Sequence, residues 1–206
     1  AAIDILTSHH FNVWEGGGDI HDVFVDAHLL RGLTCLRSGA YQRAQADFQT
    51  ATTYPDNLEV GRPIYDIRAI RNHYFIGQSL KLQGSEGYHK HFELASGMEG
   101  RDHFMFYKGK ALQELAQDVE AMALFDRMIV QGQERLASDE EIDFFAKFGE
   151  KGMQNRRRAQ AHYLVGLGYY GKGDLDRARA ELQKAQSLDI NNSWINYYLA
   201  TVDQSR

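Results

Sequence analysis

The sequence predicts an all-α fold in which pairs of helices stack along the chain as an α-α superhelix. Only two of the 206 residues are proline, so most of the chain lacks the residue that interrupts helices. Apolar residues recur at helical spacing, and a pattern of glycine, alanine and phenylalanine-like residues returns four times, which indicates internal repeats. We therefore expect about four helix pairs followed by a C-terminal capping helix.

Composition and charge narrow the possible partners and surroundings. The net charge is −5, whereas a general nucleic-acid binder is usually basic, so we expect no nucleic-acid partner. No apolar run reaches the length of a membrane span, so we expect no membrane partner. The single cysteine, Cys35, cannot form an internal disulfide, which favours a cytoplasmic location. Because the chain opens with Ala1 rather than Met, we expect a fragment of a longer protein.

The clearest repeat covers residues 159–192. Two short amphipathic helices are joined there by a turn at Gly173 and Asp174. Small residues at the crossing of two helices let their backbones approach, while larger residues one turn away fill the space beside them. Counting residue 159 as position one, positions 8, 11, 20, 24 and 27 hold the pattern residues Gly166, Tyr169, Ala178, Leu182 and Ala185.

The same pattern sets the other elements in chain order. Residues 1–18 are expected to be an irregular lead-in, with a short strand-like alternation around 10–14, and residues 19–206 form the solenoid. We place the repeats near 25–57, 70–98, 102–132 and 159–190, and the capping helix at 191–205. The glycines at position eight are Gly32, Gly77, Gly109 and Gly166.

The uneven spacing of these glycines indicates two insertions, which in repeat proteins often project from the binding face. Residues 54–66 have the turn chemistry of a loop, and residues 133–155 are expected to form an extra short helix. One residue departs from the pattern: Arg31 takes the place of an apolar residue. We expect its aliphatic stem to pack and its charged end to remain in water.

The four units and the capping helix resemble the tetratricopeptide repeat (TPR) superfamily over about residues 20–205. More narrowly, HHFNVWEGGGDIHDVFVDAHLLRGL, YPDNLEVGRP and IDFFAKFGE, together with the last repeat, look like the C-terminal TPR region of a family of very large bacterial proteins. The N-terminal region of that family is uncharacterised and resembles sugar-enzyme domains. The resemblance implies an excised C-terminal module and supplies no catalytic residue.

The resemblance also implies a concave groove lined by the first helix of each pair. Aromatic side chains there would anchor a peptide and cations would meet its acidic groups, although the aromatic residues could instead pack between repeats while the cations are solvated. Chaperone-tail binding is not expected, because Leu29 and Leu33 replace the lysine and asparagine that hold such a tail. The candidate groove residues are Arg37, Arg71, Tyr74, Gln78, Lys81, Phe106, Lys110, Tyr163 and Tyr170.

No pattern in the sequence indicates an enzyme, a cofactor or a metal. Histidine and acidic residues cluster between His9 and His28, but no HExxH or CxxC spacing is present, so no metal site is expected. The leading hypothesis is a non-enzymatic scaffold that binds a protein or peptide, or docks the upstream domain of its own polypeptide. One alternative is an accessory module of a carbohydrate-active enzyme, with WEGGGD and FFAKFGE closing over a sugar site. Another is self-association through Trp194.

Overall fold

The computed structural model describes residues 2–12, 19–140 and 148–205. It contains ten helices and a 3-10 turn at Asp56–Leu58, and these ranges include no β-strand. The all-α fold class is confirmed. The helices are α1 Ala2–Ser8, α2 Asp19–Arg37, α3 Tyr41–Thr50, α4 Arg68–Leu82, α5 Tyr88–Gly97, α6 Phe104–Glu114, α7 Asp118–Glu140, α8 Phe148–Gly171, α9 Leu175–Leu188 and α10 Ser193–Gln204.

The helices divide into two compact units, Ala1–Glu99 and Gly100–Arg206. In the first unit α2 packs on α3, α4 packs on α5, and α3 contacts α4. In the second unit α6 packs on α7, α7 on α8, α8 on α9, and α9 on α10. Two packed helix pairs in the first unit, and two packed helix pairs followed by a C-terminal helix in the second, confirm the TPR-like architecture.

Each pair is closed by the position-eight glycine of its first helix, which lies against a large side chain of the second. A Cβ built on Gly32 would lie 2.4 Å from Cε1 of Phe48. Gly77 faces Phe92 and Gly109 faces Phe125 in the same way, and Gly166 faces Leu182. We term this the crossing contact. Only glycine lets the two backbones approach so closely, because any side chain would displace the ring or the leucine.

Three of the four turns inside the pairs use a glycine in the left-handed region. The φ angles are 78° at Gly39, 70° at Gly84 and 80° at Gly173. The third pair has Ala116 in this conformation instead, with φ of 58°. Glycine adopts that region without a steric penalty, whereas an alanine Cβ crowds the neighbouring carbonyl oxygen.

We therefore expect Ala116→Gly to raise the free energy of unfolding by about 1 kcal/mol. The measurement is urea denaturation followed by circular dichroism. Gly173→Ala is the matched control. A Cβ there would meet no atom within 4 Å. The free energy of unfolding of this variant is therefore expected to fall by about 1 kcal/mol, and backbone strain is the only cause of the loss. An Ala116→Gly variant less stable than the parent would contradict this account of the turn.

The described residues of the second insertion belong to the two long helices on either side of it. Residues 133–140 continue α7 and residues 148–155 belong to the beginning of α8, so the described residues contain no separate short helix. The residues after Gly132 are mainly strong helix formers, which favours continuation of α7 over a break. Residues 141–147, which include most of the FFAKFGE segment, lie outside the described residues.

The first insertion and the N-terminal segment pack together. The amide nitrogen of the Asn57 side chain donates to the carbonyl oxygens of Leu6 at 2.9 Å and His9 at 2.7 Å. Residues 2–8 are helical rather than irregular, because this short helix is stabilised by burying Leu6 and not by its own length. Residues 10–12 form no strand, and residues 13–18, which hold most of WEGGGD, lie outside the described ranges.

Candidate functional site

In the first unit, ion pairs join α2 and α4, the first helices of the two pairs. Arg71 donates to Oδ1 of Asp26 at 2.6 Å, and Arg68 donates to Asp22. Arg71 is only 4% exposed. Arg71, a predicted groove cation, therefore holds two neighbouring helices together, and a partner would have to displace Asp26 to reach its guanidinium group.

The remaining predicted groove residues of this unit differ in exposure. Tyr74 is buried, and its ring packs beside those of Phe75 and Phe92 at centroid distances of 5.4 and 6.0 Å. Gln78 is half-buried, while Arg37 and Lys81 are exposed. Among these four residues only Arg37 and Lys81 are exposed, and their use in binding stays a prediction.

In the second unit the predicted groove aromatics meet a helix of their own chain. The Tyr198 ring of α10 lies 5.3 Å from Phe106, 6.2 Å from Tyr163 and 6.1 Å from Tyr170 between centroids. Burial raises the pKa of Tyr198 well above its ordinary value. We name Phe106, Tyr163, Tyr170 and Tyr198 the aromatic cluster. Its rings already pack on one another, which is the alternative role that the sequence left open for them.

Lys110 lies beside this cluster on α6 and is half-buried. Its ammonium group donates to Oε1 of Gln113 at 2.7 Å, and Gln113 in turn donates to the carbonyl oxygen of Gly171 at 3.3 Å. Burial lowers the pKa of Lys110, and the charge of Glu114 acts in the opposite direction. An ammonium group has three N–H donors, and Lys110 uses one of them to bind Gln113. This contact holds the ammonium group in place, and the other donors can bind an acidic group.

The early histidine and acidic residues are dispersed among partners within the chain. His10 pairs with Glu59 at 2.8 Å, His21 contacts the carbonyl oxygen of Thr53 at 2.9 Å, and His28 contacts Asp47 at 3.1 Å. Across the part of the chain that the structure describes, no three histidine, cysteine, aspartate or glutamate residues converge as metal ligands.

The structure also contains a cleft that sequence analysis missed. It has a volume of about 510 Å³ and lies in the first unit, between the insertion that follows α3 and the helices α4 and α5. Residues from several separate segments line it, among them Ile64, Tyr65, Asn72, His73 and His91. No spacing motif connects them, and the only signal in the sequence was the insertion itself.

Two histidines meet in this cleft. Nδ1 of His73 on α4 lies 3.1 Å from Nδ1 of His91 on α5. Burial lowers the pKa of both imidazoles, helped by the neighbouring His91 for His73 and by Lys90 for His91. At neutral pH both rings are therefore uncharged, so one ring donates a hydrogen bond that the other accepts.

This pair makes stability dependent on pH. The folded state binds protons at His73 and His91 less readily than the unfolded chain, whose imidazoles titrate near the ordinary value of 6.5. The free energy of unfolding is therefore undiminished above pH 6.5 and falls as the pH drops below it. We expect His73→Gln/His91→Gln to lose less stability between pH 7 and pH 5 than the parent, measured by urea denaturation. His89→Gln on α5 is the control, and an equal loss in all three chains would contradict the prediction.

Comparison with known proteins leaves the family open. No protein-family model matches the chain. Among solved structures, "MamA 41-end from Desulfovibrio magneticus RS-1" is 17% identical, and the match covers 88% of this chain and 84% of that chain with a TM-score of 0.31. At that level of similarity the fold assignment depends on the helix packing described above. Within the described ranges, no helix combines the length and the apolar character needed to cross a lipid bilayer.

Proposed function

We propose that this chain is a non-enzymatic scaffold that binds a protein or peptide, or docks an upstream domain of its own polypeptide, through the first-helix faces of its helix pairs. Such a surface is built by stacked helices, and no single helix could offer it. The single cysteine favours a cytoplasmic setting. Fold alone does not determine function, so the proposal depends on the residues that these faces expose.

The position of two exposed cations carries the proposal. Asp22 pairs with Arg68 and Asp26 with Arg71, so α2 and α4 run side by side in the same direction. Arg37 lies in the last turn of α2 and Lys81 in the last turn of α4. Both exposed cations therefore lie at the same end of the first-helix face, where they complement acidic groups of a partner and increase its rate of association.

The test is a pull-down from bacterial cytosolic extract with the parent chain and an Arg37→Glu/Lys81→Glu variant, analysed by mass spectrometry. A protein retained by the parent and lost by the variant supports the proposal. Arg43→Glu/Lys90→Glu is the matched control, because it makes the same charge change at exposed residues of the second helices α3 and α5. Circular dichroism checks that each variant is folded.

If the parent retains no specific protein, a free adaptor is excluded. The scaffold would then act on its own polypeptide, and the same variants would be tested in the full-length protein for loss of contact with its upstream region. Self-association through Trp194 is less well supported. This side chain is 8% exposed and stacks on Tyr198, so it does not provide an open aromatic surface.

A further inference from the structure

The cleft of the first unit lies apart from the two exposed cations and has the dimensions of a binding site. Its volume of about 510 Å³ falls within the range of roughly 300–1,000 Å³ that is usual for ligand sites. Its floor is formed by α4 and α5, and its outer wall by residues 62–66 of the insertion. The Tyr65 hydroxyl donates to the carbonyl oxygen of Glu99, which holds that wall in place.

The histidine pair gives the floor a defined hydrogen-bonding pattern. When two neutral imidazoles share one hydrogen bond between their Nδ1 atoms, they must be opposite tautomers. The donor ring then has an Nε2 that accepts, and the acceptor ring has an Nε2 that donates. Among the described residues, neither ring of His73 and His91 makes another hydrogen bond. The pair therefore offers one donor and one acceptor, which match the backbone C=O and N–H that one residue of an extended chain presents on the same side.

Asn72 joins the floor of the cleft to the preceding helix pair. It is 1% exposed, and its side-chain nitrogen donates to the carbonyl oxygen of Ala51 at 3.1 Å. Its Oδ1 has no hydrogen-bond partner within the described part of the chain. A buried acceptor without a donor is unfavourable, and this oxygen is covered by the floor itself.

The rim of the cleft carries an exposed apolar side chain, which favours a peptide over a small molecule. Ile64 is fully exposed and follows Pro63, which also lines the cleft. A single exposed isoleucine is ordinary, but this one stands directly beside a polar floor. A small molecule on the floor would leave Ile64 in water, whereas an extended chain alternates backbone amides with side chains and covers both surfaces.

We propose that this cleft binds an extended peptide segment of a partner protein. The backbone N–H and C=O of one residue of the segment hydrogen-bond to the His73–His91 pair, and a neighbouring apolar side chain packs on Ile64. The inference depends on the proposed function, because it assumes that the partner is a protein, but it places a contact outside the first-helix face. The cleft supplies sequence preference through apolar packing, while the exposed cations supply charge complementarity.

The test begins with a phage-displayed library of random linear peptides panned against the full chain. Enriched peptides are synthesised, and their dissociation constants are measured by isothermal titration calorimetry. Ile64→Glu removes the apolar rim at a fully exposed position, so it leaves the fold intact, and His91→Phe removes the hydrogen bonds while keeping a ring. We expect each change to weaken binding by about tenfold or more. The variant Arg37→Glu/Lys81→Glu should leave the affinity within about twofold.

The outcomes separate this inference from the proposed function. No enriched peptide, or affinities unchanged by both cleft variants, overturns the cleft as a peptide site. Binding that is lost only in Arg37→Glu/Lys81→Glu also overturns it, yet supports the first-helix face as the binding surface. Binding that is lost in the cleft variants and kept in the cation variant supports the cleft even if the pull-down contradicts the first-helix proposal.

Discussion

Replacing Phe125 by alanine is expected to lower the free energy of unfolding of the second unit by about 4 kcal/mol. Phe125 is fully buried on α7, and its ring lies against glycines of two neighbouring helices. A Cβ would lie 2.5 Å from this ring at Gly109 of α6 and 2.4 Å from it at Gly171 of α8. Removing the ring leaves a cavity where three helices meet, and the loss is measured by urea denaturation.

Val119→Ala provides the control for this change. It shortens an apolar side chain on the same helix, but Val119 is 82% exposed, so we expect a change of less than about 0.5 kcal/mol. If Phe125→Ala were no more destabilising than Val119→Ala, this result would contradict the packing of the Phe125 ring in the crossing contact of the third pair.

Arg71→Glu is expected to destabilise the first unit by about 3 kcal/mol or more. The change removes a buried cation and places a carboxylate next to Asp26, which now lies 2.6 Å from the Arg71 guanidinium group. The new carboxylate at the buried position 71 and the Asp26 carboxylate repel each other, and they cannot both remain ionised without cost. The measurement is thermal and urea denaturation followed by circular dichroism.

Lys81→Glu makes an opposite-charge substitution on the same helix at an exposed position, and its expected effect on stability is within about 0.5 kcal/mol. The comparison separates a buried cation that joins two helices from an exposed cation on the same helix. An Arg71→Glu chain as stable as the parent would show that the Asp26–Arg71 ion pair does not hold α2 and α4 together in solution.

The repeat register could be predicted because it depends on short-range spacing. Gly32 and Phe48 are separated by a fixed interval within one helix pair, and the structure places them in contact. The same interval occurs in the third and fourth pairs and is one residue shorter in the second, between Gly77 and Phe92. The fold class therefore follows from a local pattern repeated along the chain. Helix ends depended on weaker signals, which is why the extension of α7 through residues 133–140 was not predicted.

Contacts between segments could not be predicted in the same way. Arg31 was expected to keep its charge in water, but its Nε donates to Oδ2 of Asp47 at 2.9 Å, and His28 contacts the same carboxylate. Asp47 is buried on α3, and only the packing of α2 against α3 brings two basic side chains to it. Periodicity treats a charged residue as solvent-facing, so a buried carboxylate with partners on another helix gives no signal in the sequence.

The candidate site also combines features that follow from local spacing with features that depend on contacts between segments. The exposure of Arg37 and Lys81 agrees with their positions on the first helices, whereas the burial of Phe106 and Tyr163 depends on Tyr198 from α10. The cleft is assembled from the insertion, α4 and α5. Its chemistry therefore exists only after folding has brought His73 and His91 together.

The crossing contact has a consequence for how such a chain diversifies. Because each glycine meets its large partner inside a single helix pair, the geometry of a pair does not depend on the length of the segment that leads to the next one. The exposed residues of an insertion between pairs can therefore accumulate changes without loss of the fold, whereas its buried residues, such as Leu58, cannot. Residues 54–66 are such a segment, and the wall of the cleft is part of it. New specificity can arise there by natural variation while the helical framework is inherited unchanged.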